Sequence, residues 1–333
     1  MGKASYLGEG SRGFGCRRHG PDFRRSMEKG QAQALVFPPP LRPGDTVAVV
    51  APSSPPPRGE LDAGIAWLRR RYRVEVSPRI DARQGYLAGD DATRAAELAG
   101  FMLRSDVRAV VAARGGYGLT RIVASLPWQA FAAEPRWLVG FSDVTALHAF
   151  AWRHGVASVH GPNVTGLGRE GVEEARAAWI AAVEAPHAPR AFSGLRAVAG
   201  PRDGVVEGLV VGGNVALLET LAAQGALALP PGALLALEDV GEPPYRLDRM
   251  LTALLEGGHL RSVAAVVLGS FERCDPGADG VTAEAVLVER LGRLGVPVVA
   301  GAPFGHHDDN RAFVQGAPAR LDLGAGALLM GGG

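Results

Sequence analysis

Residues 137–148 read Trp137-Leu138-Val139-Gly140-Phe141-Ser142-Asp143-Val144-Thr145-Ala146-Leu147-His148. The apolar residues before Phe141 predict a buried strand, and the residues after Ser142 predict a helix that begins at once. This is the arrangement of a nucleophile elbow, in which a tight turn exposes a serine hydroxyl. The start of the helix also offers free N–H groups to a developing oxyanion. The plainer interpretation is that Ser142 only caps the helix, and Val144 stands where the hydrolase pattern G-x-S-x-G has its second glycine.

Outward from this turn, apolar strands and helical patterns alternate along the first half of the chain. Strands are predicted at 46–51, 108–113 and 137–140, and helices at 60–71 and 91–104. Such alternation predicts a parallel sheet with covered faces. We therefore predict an α/β fold. Its N-terminal domain is an open, mostly parallel sheet flanked by helices, as in flavodoxin or amidotransferase domains, and its C-terminal domain is mixed α/β and strand-rich.

Composition divides the chain into four parts. Residues 1–33 are rich in Gly, Arg and Ser without apolar periodicity, so we predict a disordered extension there, with Met27 as a second candidate start. The N-terminal domain with the elbow is expected at 34–165. A segment rich in Gly, Pro, Arg and Ala, 166–203, is interpreted as a linker. The C-terminal domain, 204–333, is expected to carry the acid and the base of the site.

The bulk composition argues against several classes of function. The net charge of +1 does not provide the basic excess of a nucleic-acid-binding protein. No apolar run approaches the roughly 20 residues that span a bilayer, so no membrane partner is expected. Two cysteines and no visible apolar leader fit a cytoplasmic location. Because the only lysines are Lys3 and Lys29, a Schiff-base lysine, a P-loop lysine and a Ser-Lys dyad are disfavoured in the folded body.

A glycine-rich loop follows the strand at 108–113 and reads Arg114-Gly115-Gly116-Tyr117-Gly118. In an open α/β sheet, ligands bind outside the carboxyl ends of the strands. This loop and Ser142 both lie at such ends, so we expect them to share one crevice. A backbone N–H group of the loop would then be a second oxyanion donor. The plainer interpretation is a simple strand-to-helix turn, which also needs glycine.

A serine nucleophile needs a base, which is usually a histidine. Two of the eight histidines suit this role: His160 ends an apolar strand, and His306 lies on a Gly-bounded loop after the strand at 296–300. The residues alone leave both open. The cluster His306-His307-Asp308-Asp309 also suggests a metal site, but adjacent ligands lack the spacing of zinc sites. We therefore predict no metal.

Seven short motifs occur in order between about residues 41 and 310. They are Arg42-Pro43-Gly44-Asp45, Arg114-Gly115-Gly116-Tyr117-Gly118, Gly140-Phe141-Ser142-Asp143, His160-Gly161-Pro162, Gly212-Gly213-Asn214, Leu237-Glu238-Asp239-Val240-Gly241-Glu242 and Phe304-Gly305-His306. In this order and spacing the chain resembles the LD-carboxypeptidases, also called muramoyltetrapeptide carboxypeptidases. The microcin C self-immunity peptidases are related to them.

The resemblance implies a Ser–His–Glu triad. The nucleophile falls on Ser142, the base on His306 and the acid on Glu238. Glu242 is the rival acid, four residues later. Glu238 is preferred because it directly follows an apolar strand, whose end would hold it rigidly.

The implied activity is hydrolysis of the L,D-amide bond that releases the terminal D-Ala of a murein tetrapeptide, through an acyl-enzyme on Ser142. The backbone N–H groups of Asp143 and of Gly115 or Gly116 would form the oxyanion hole. The resemblance implies no metal or organic cofactor, and it implies a homodimer.

A carboxypeptidase must also bind a free carboxylate, for which an arginine fork is suited. Arg114 and Arg246 are candidates by position, and His160 is a further candidate for lining the crevice. One alternative is an immunity-type peptidase that hydrolyses microcin C-like peptidyl-nucleotides. Such a protein is expected to carry a longer insertion with aromatic residues, whereas Trp179 here lies in a helical pattern that favours packing. Another alternative is a non-catalytic, small-molecule-binding α/β protein.

Overall fold

The computed structural model describes residues 35–331. The predicted disordered extension, 1–33, lies outside these residues. A six-stranded and an eight-stranded sheet with associated helices make up the described chain. The first sheet is mostly parallel and the second is mixed, so the predicted fold class is confirmed. None of the described helices is long and apolar enough to cross a membrane.

The strands and helices are numbered here in chain order. The strands are β1 Thr46–Val50, β2 Arg73–Val76, β3 Val107–Ala112, β4 Trp137–Gly140, β5 Ser158–His160, β6 Arg190–Ser193, β7 Arg196–Ala199, β8 Val205–Asn214, β9 Ala233–Val240, β10 Val263–Glu272, β11 Val298–Ala300, β12 Phe313–Gln315, β13 Ala317–Asp322 and β14 Ala327–Met330. The α-helices are α1 Arg58–Arg69, α2 Asp91–Leu103, α3 Leu119–Ile122, α4 Trp128–Ala133, α5 Thr145–Arg153, α6 Val164–Leu167, α7 Glu173–Glu184, α8 Val215–Ala223, α9 Pro244–Glu256 and α10 Ala283–Gly292.

The first sheet has the order β12-β5-β4-β3-β1-β2. Strands β1 to β5 are parallel, and β12 joins the edge antiparallel to β5. The central strands are almost entirely buried, which explains why they are continuously apolar. Because β3 and β4 are parallel neighbours, the glycine-rich loop and the serine turn leave the same edge of the sheet.

The second sheet has the order β6-β14-β13-β8-β9-β10-β11-β7. Its centre, β8 to β11, is parallel, and its outer strands are antiparallel. The segment that the sequence assigned to a linker, 166–203, contains α7 and both edge strands of this sheet, β6 and β7. These strands are short and only partly buried, so their apolar signal is weak. The domain limits themselves stay a prediction.

Asn214, the last residue of β8, connects the second sheet to the helix that follows the serine turn. Its N–H group donates to Thr145 Oγ1 (3.1 Å), and its side-chain amide donates to Asp239 Oδ1 (2.9 Å). Its side-chain oxygen accepts from the Leu217 N–H group (3.2 Å) and caps α8. A buried amide with all these partners is stabilising rather than costly. It fixes β8, β9 and α5 with respect to one another.

Helices α1 and α6 approach each other closely because Gly64 has no side chain. A Cβ atom at Gly64 would lie 1.9 Å from the Val164 carbonyl oxygen. Residues next to Val164 line the cavity described below, so this contact also determines one wall of the site.

Gly64→Ala is expected to lower the free energy of unfolding by about 2 kcal/mol, because the backbone of α6 must move to admit the methyl group. Gly100→Ala is the matched control: it lies in α2 with open space around its Cβ position. That change should raise stability by roughly 0.5–1 kcal/mol. Urea unfolding of both variants measures the difference, and a Gly64→Ala protein as stable as wild type would contradict the close approach.

Candidate active site

The turn after β4 holds Ser142 in a left-handed backbone conformation, with φ of 64°. Only one other non-glycine residue between 35 and 331, Arg273, has a positive φ. Such conformations cost free energy and concentrate at functional sites. The capping residues are Phe141 for the 3-10 turn Ser142–Val144 and Val144 for the helix that follows, so Ser142 does not act as a simple helix cap. The geometry is that of a nucleophile elbow.

Glycines make room on both sides of this turn. A Cβ atom at Gly115 would lie 2.9 Å from Ser142 Cβ and 3.0 Å from its Oγ. A Cβ atom at Gly140 would lie 2.6 Å from Asn163 Oδ1, the atom that accepts the Phe141 N–H group (3.3 Å). The glycine-rich loop and Ser142 therefore meet, as the sequence predicted.

The N–H groups of this loop are available next to the serine. Gly115 and Gly116 lie outside helices and strands, and their N–H groups donate to no group in the described part of the chain. Asp143 follows the serine directly. These are the three residues that the sequence assigned to the oxyanion hole.

The second sheet supplies a histidine and a carboxylate to the same site. Glu238, near the end of β9, is completely buried, and its Oε2 lies 2.6 Å from His306 Nδ1. A carboxylate accepts the hydrogen bond, so Nδ1 carries the proton and Nε2 keeps its lone pair. The other carboxylate oxygen, Oε1, has no hydrogen-bond partner among residues 35–331.

The loop that carries His306 is fastened to β10. A Cβ atom at Gly305 would lie 2.4 Å from Ser270 Oγ and 3.1 Å from Glu238 Cβ, so only glycine fits there. The Ser270 N–H group donates to the Phe304 carbonyl oxygen (2.9 Å), and the Gly305 N–H group donates to Asn310 Oδ1 (3.1 Å). These contacts hold the imidazole against the carboxylate.

A cavity of about 500 Å³ joins the two halves of the site. Ser142, His306 and residues 114–116 all line it. The rings of His306 and Phe141 lie 4.7 Å apart. No hydrogen bond joins Ser142 to His306 in the described structure; such bonds are often long before substrate binds and tighten in the complex.

Two of the three residues predicted to bind substrate do not line the cavity. His160 is fully buried and stacks on Phe313, with ring centroids 4.9 Å apart, and burial holds its pKa well below the usual range. Arg246 pairs with Glu242 (2.7 Å) on α9, away from the cavity lining. Only Arg114 of the three lies at the cavity. Glu242, the rival acid, therefore pairs with an arginine of α9.

The acidic residues beside His306 are paired with arginines. Asp308 lies 3.4 Å from Arg169, and Asp309 lies 2.9 Å from Arg311. Within residues 35–331, no three His, Cys, Asp or Glu side chains are grouped so that they could hold a metal ion.

The side chain of Asp143 has a structural role that the sequence did not reveal. It is buried, and its Oδ2 accepts from Ser53 Oγ (2.6 Å) and from the Leu119 N–H group (2.9 Å). Burial raises the pKa of this carboxyl group to about 6. Asp143 therefore ties the serine turn to the loop after β1 and to the start of α3. Since Ser53 lies 90 residues away, no local pattern could indicate this contact.

His148 contacts the backbone just before the serine turn. It is fully buried, with Nε2 2.9 Å from the Gly140 carbonyl oxygen and Nδ1 2.8 Å from Ser158 Oγ. The carbonyl can only accept, so Nε2 donates and Nδ1 accepts the serine hydroxyl. Burial lowers the pKa of His148 to about 4, which keeps the ring neutral.

Two family profiles match this chain. The LD-carboxypeptidase N-terminal domain matches residues 47–161, and the LD-carboxypeptidase C-terminal domain matches residues 207–321. The chain belongs to the LD-carboxypeptidase family. This confirms the resemblance inferred from the motifs.

Relatives match over most of their length. A putative carboxypeptidase of Streptomyces coelicolor is 43% identical over 305 residues, covering 89% of this chain and 96% of that protein. The murein tetrapeptide carboxypeptidase of Pseudomonas aeruginosa is 34% identical, covering 83% and 92%. The crystal structure of muramoyltetrapeptide carboxypeptidase from Oxalobacter formigenes has a TM-score of 0.77 at 30% identity, covering 86% and 98%.

The microcin C7 self-immunity protein has the same fold. Its structure in complex with glutamyl sulfamoyl guanosine has a TM-score of 0.78 at 20% identity, covering 90% of this chain and 99% of that one. At this identity the likeness concerns the fold alone.

His148→Gln is expected to flatten the pH dependence of stability between pH 6.5 and pH 4. The folded-state pKa of His148, about 4, lies below its unfolded value of 6.5, so its stabilising contribution is complete above pH 6.5 and is lost as the pH falls toward 4. The loss amounts to about 3 kcal/mol, at roughly 1.4 kcal/mol for each pKa unit.

Urea unfolding of wild type and His148→Gln at pH 7 and pH 4 measures this difference. Asp143 and Asp239, whose pKa values burial raises to about 6, are present in both proteins and cancel in the comparison. Equal loss of stability in the two proteins would show that His148 is not held neutral.

Proposed function

We propose that this protein is a serine carboxypeptidase that hydrolyses the L,D-amide bond before the terminal D-alanine of a murein tetrapeptide. The observation that carries the proposal is the 2.6 Å contact of Glu238 with His306, in the cavity that the left-handed Ser142 also lines. Membership of the LD-carboxypeptidase family and the names of the Pseudomonas and Oxalobacter relatives support the substrate.

The chemistry begins with attack of Ser142 Oγ on the carbonyl carbon of the scissile bond, while its proton passes to His306 Nε2. The N–H groups of Asp143 and of Gly115 or Gly116 stabilise the oxyanion, each donor contributing on the order of 3 kcal/mol. His306 then gives the proton to the leaving amine of D-alanine. The peptide remains as an ester on Ser142.

Water completes the cycle by hydrolysing this ester. His306 takes a proton from the water and returns it to Ser142 Oγ. Glu238 keeps the imidazole in one tautomer and stabilises the imidazolium when it forms. None of these steps needs a cofactor.

The charges of the cavity suit a peptide with several carboxylates. A murein tetrapeptide carries carboxylates on D-Glu, on diaminopimelate and on the terminal D-Ala. Three arginines line the cavity: Arg114, Arg169 and Arg273. The two acidic residues of the lining, Glu60 and Asp308, both lie close to Arg169, which leaves the charges of the other two arginines for a ligand. Its volume also lies in the range of small-ligand sites.

The proposed function also implies a location, an oligomeric state and a set of partners. We infer a cytoplasmic homodimer without nucleic-acid or membrane partners, on the basis of the family resemblance and the near-neutral net charge. Light scattering that returns the mass of one 34.7 kDa chain would contradict the dimer.

A peptidyl-nucleotide substrate is the second candidate. A peptidase of that branch is expected to stack the base on an aromatic side chain. Trp179, the aromatic residue considered for this, is fully buried against Trp67 and Tyr72, with ring centroids 5.9 Å and 6.2 Å away. It is not available to a ligand, which favours the murein peptide.

The direct test is release of D-alanine from L-Ala-γ-D-Glu-meso-diaminopimelyl-D-Ala. Ser142→Ala should reduce kcat by about 10⁴-fold or more, because it removes the attacking oxygen. Ser262→Ala, at an exposed serine away from the cavity, is the matched control and should leave the rate unchanged. A chelator should have no effect. Chelator-sensitive release would contradict the triad, and hydrolysis of only an aminoacyl sulfamoyl adenosine would favour the second candidate.

A pair of variants distinguishes the two glutamates. Glu238→Gln should lower kcat by roughly 10³- to 10⁴-fold, because the amide cannot stabilise the imidazolium and can hold the wrong tautomer. Glu242→Gln should stay within a few-fold of wild type, because Glu242 pairs with Arg246 on α9. Circular dichroism checks that both variants fold. The opposite ranking of the two rates would assign the acid to Glu242.

A further inference from the structure

Arg273 is the second strained residue of the described chain. It follows the last residue of β10, and its φ of 54° places it in the left-handed region, where an arginine side chain is unfavourable. It also lines the active-site cavity. The two non-glycine residues with positive φ between 35 and 331 thus both lie at one site, and the other is the serine. A strained residue that lines a cavity suggests a functional constraint.

Of the three arginines that line the cavity, Arg273 also makes the fewest contacts with other polar residues. Arg114 Nη1 donates to the Pro55 carbonyl oxygen (3.0 Å). Arg169 lies near Asp308 (3.4 Å) and Glu60 (3.7 Å). Arg273 makes no ion pair and no side-chain hydrogen bond with any residue that the structure describes. Its guanidinium group can therefore pair with an anion that enters the cavity.

Arg273 follows the strand that pairs with β9, which carries Glu238, the partner of His306. Strand β10 is paired with β9, with Phe271 opposite Asp239, the residue after Glu238. The Gly241 N–H group donates to the Glu272 carbonyl oxygen (2.8 Å), which holds the two strand ends together. Three residues before Arg273, Ser270 contacts the loop of His306.

Arg114 lies next to the serine turn. It directly precedes Gly115, where a Cβ atom would lie 2.9 Å from Ser142 Cβ. The two arginines thus reach the cavity from different sheets: Arg114 follows β3 of the first sheet and Arg273 follows β10 of the second.

We propose that Arg273 binds the free α-carboxylate of the leaving D-amino acid. This inference rests on the proposed function, in which His306 protonates the leaving amine. The leaving residue must then lie on the His306 side, where its carboxylate is attached one carbon away from that amine. The planar guanidinium fork pairs with a carboxylate through two parallel hydrogen bonds, which a C-terminal amide cannot reproduce.

This contact explains what makes the enzyme a carboxypeptidase. A peptide that continues beyond the scissile bond, or one that ends in an amide, has no charge to offer at this position. Arg273 lines the cavity from the strained position directly after β10, and the register of β10 shifts between Leu268 and Phe271, just before it.

The test compares the tetrapeptide with its C-terminal amide. Arg273→Asn keeps a residue that tolerates the left-handed backbone, so the fold is preserved, and it removes the charge. The variant should raise KM for the free acid by roughly 10- to 100-fold with kcat changed only a few-fold. The KM for the amide, which lacks the charge that Arg273 would bind, should be unaffected. Arg273→Lys should recover part of the preference for the acid.

Two further variants make the result specific. Arg246→Gln, on α9 away from the cavity lining, should leave KM and kcat unchanged for both substrates. Arg114→Gln should lower activity on acid and amide alike. If Arg114→Gln rather than Arg273→Asn removes the preference for the acid, the inference is overturned.

The remaining outcomes separate the inference from the proposed function. Release of D-alanine that Arg273→Asn leaves unchanged would overturn the inference alone. An equal loss on acid and amide would also overturn it, because Arg273 would then contact another part of the peptide. No release by folded wild type would overturn the proposed function and the inference with it.

Discussion

The buried carboxylate of Glu238 is the constraint around which the site is built. Removing a charged group from water costs several kcal/mol, and only a good partner compensates for it. His306 is that partner, and Gly305 is required so that the loop can approach. Since side chains alternate along β9, Asp239 turns the other way, where Asn214 and the Ala216 N–H group satisfy it. Glu238 and Asp239 are adjacent in sequence, but the first contacts His306 and the second holds the start of α8.

The site also depends on two sheets being held together. Ser142 and the glycine-rich loop belong to the first sheet, whereas Glu238 and the loop of His306 belong to the second. The Asn214–Thr145 hydrogen bond joins the helix after the serine turn to the second sheet. The Asp143–Ser53 contact fixes the turn to the loop after β1, within the first sheet. The geometry of the candidate site is thus a property of the packed chain rather than of either sheet.

Local patterns predicted what is encoded locally. The strand-to-helix turn at Ser142 and the α/β class follow from apolar runs and glycines that are close in sequence. The choice of His306 over His160 did not, because one histidine ends a strand, the other follows one, and only their neighbours from distant parts of the chain distinguish them. Nor did the sequence show that Arg246 pairs with Glu242, in the loop before α9, or that Arg273 has a left-handed backbone, since nothing about an arginine indicates that conformation. The sequence did not predict β6 and β7, because short strands at the edge of a sheet bury few apolar side chains.

One short strand has a consequence for synthesis of the chain. Strand β12 completes the edge of the first sheet by pairing with β5, although more than 150 residues separate them in sequence. While the ribosome is still making the second half, β5 presents unpaired backbone groups to the surroundings. Open edges of this kind recruit other strands and promote aggregation. The nascent chain therefore passes through a vulnerable interval that ends only when residues 313–315 emerge.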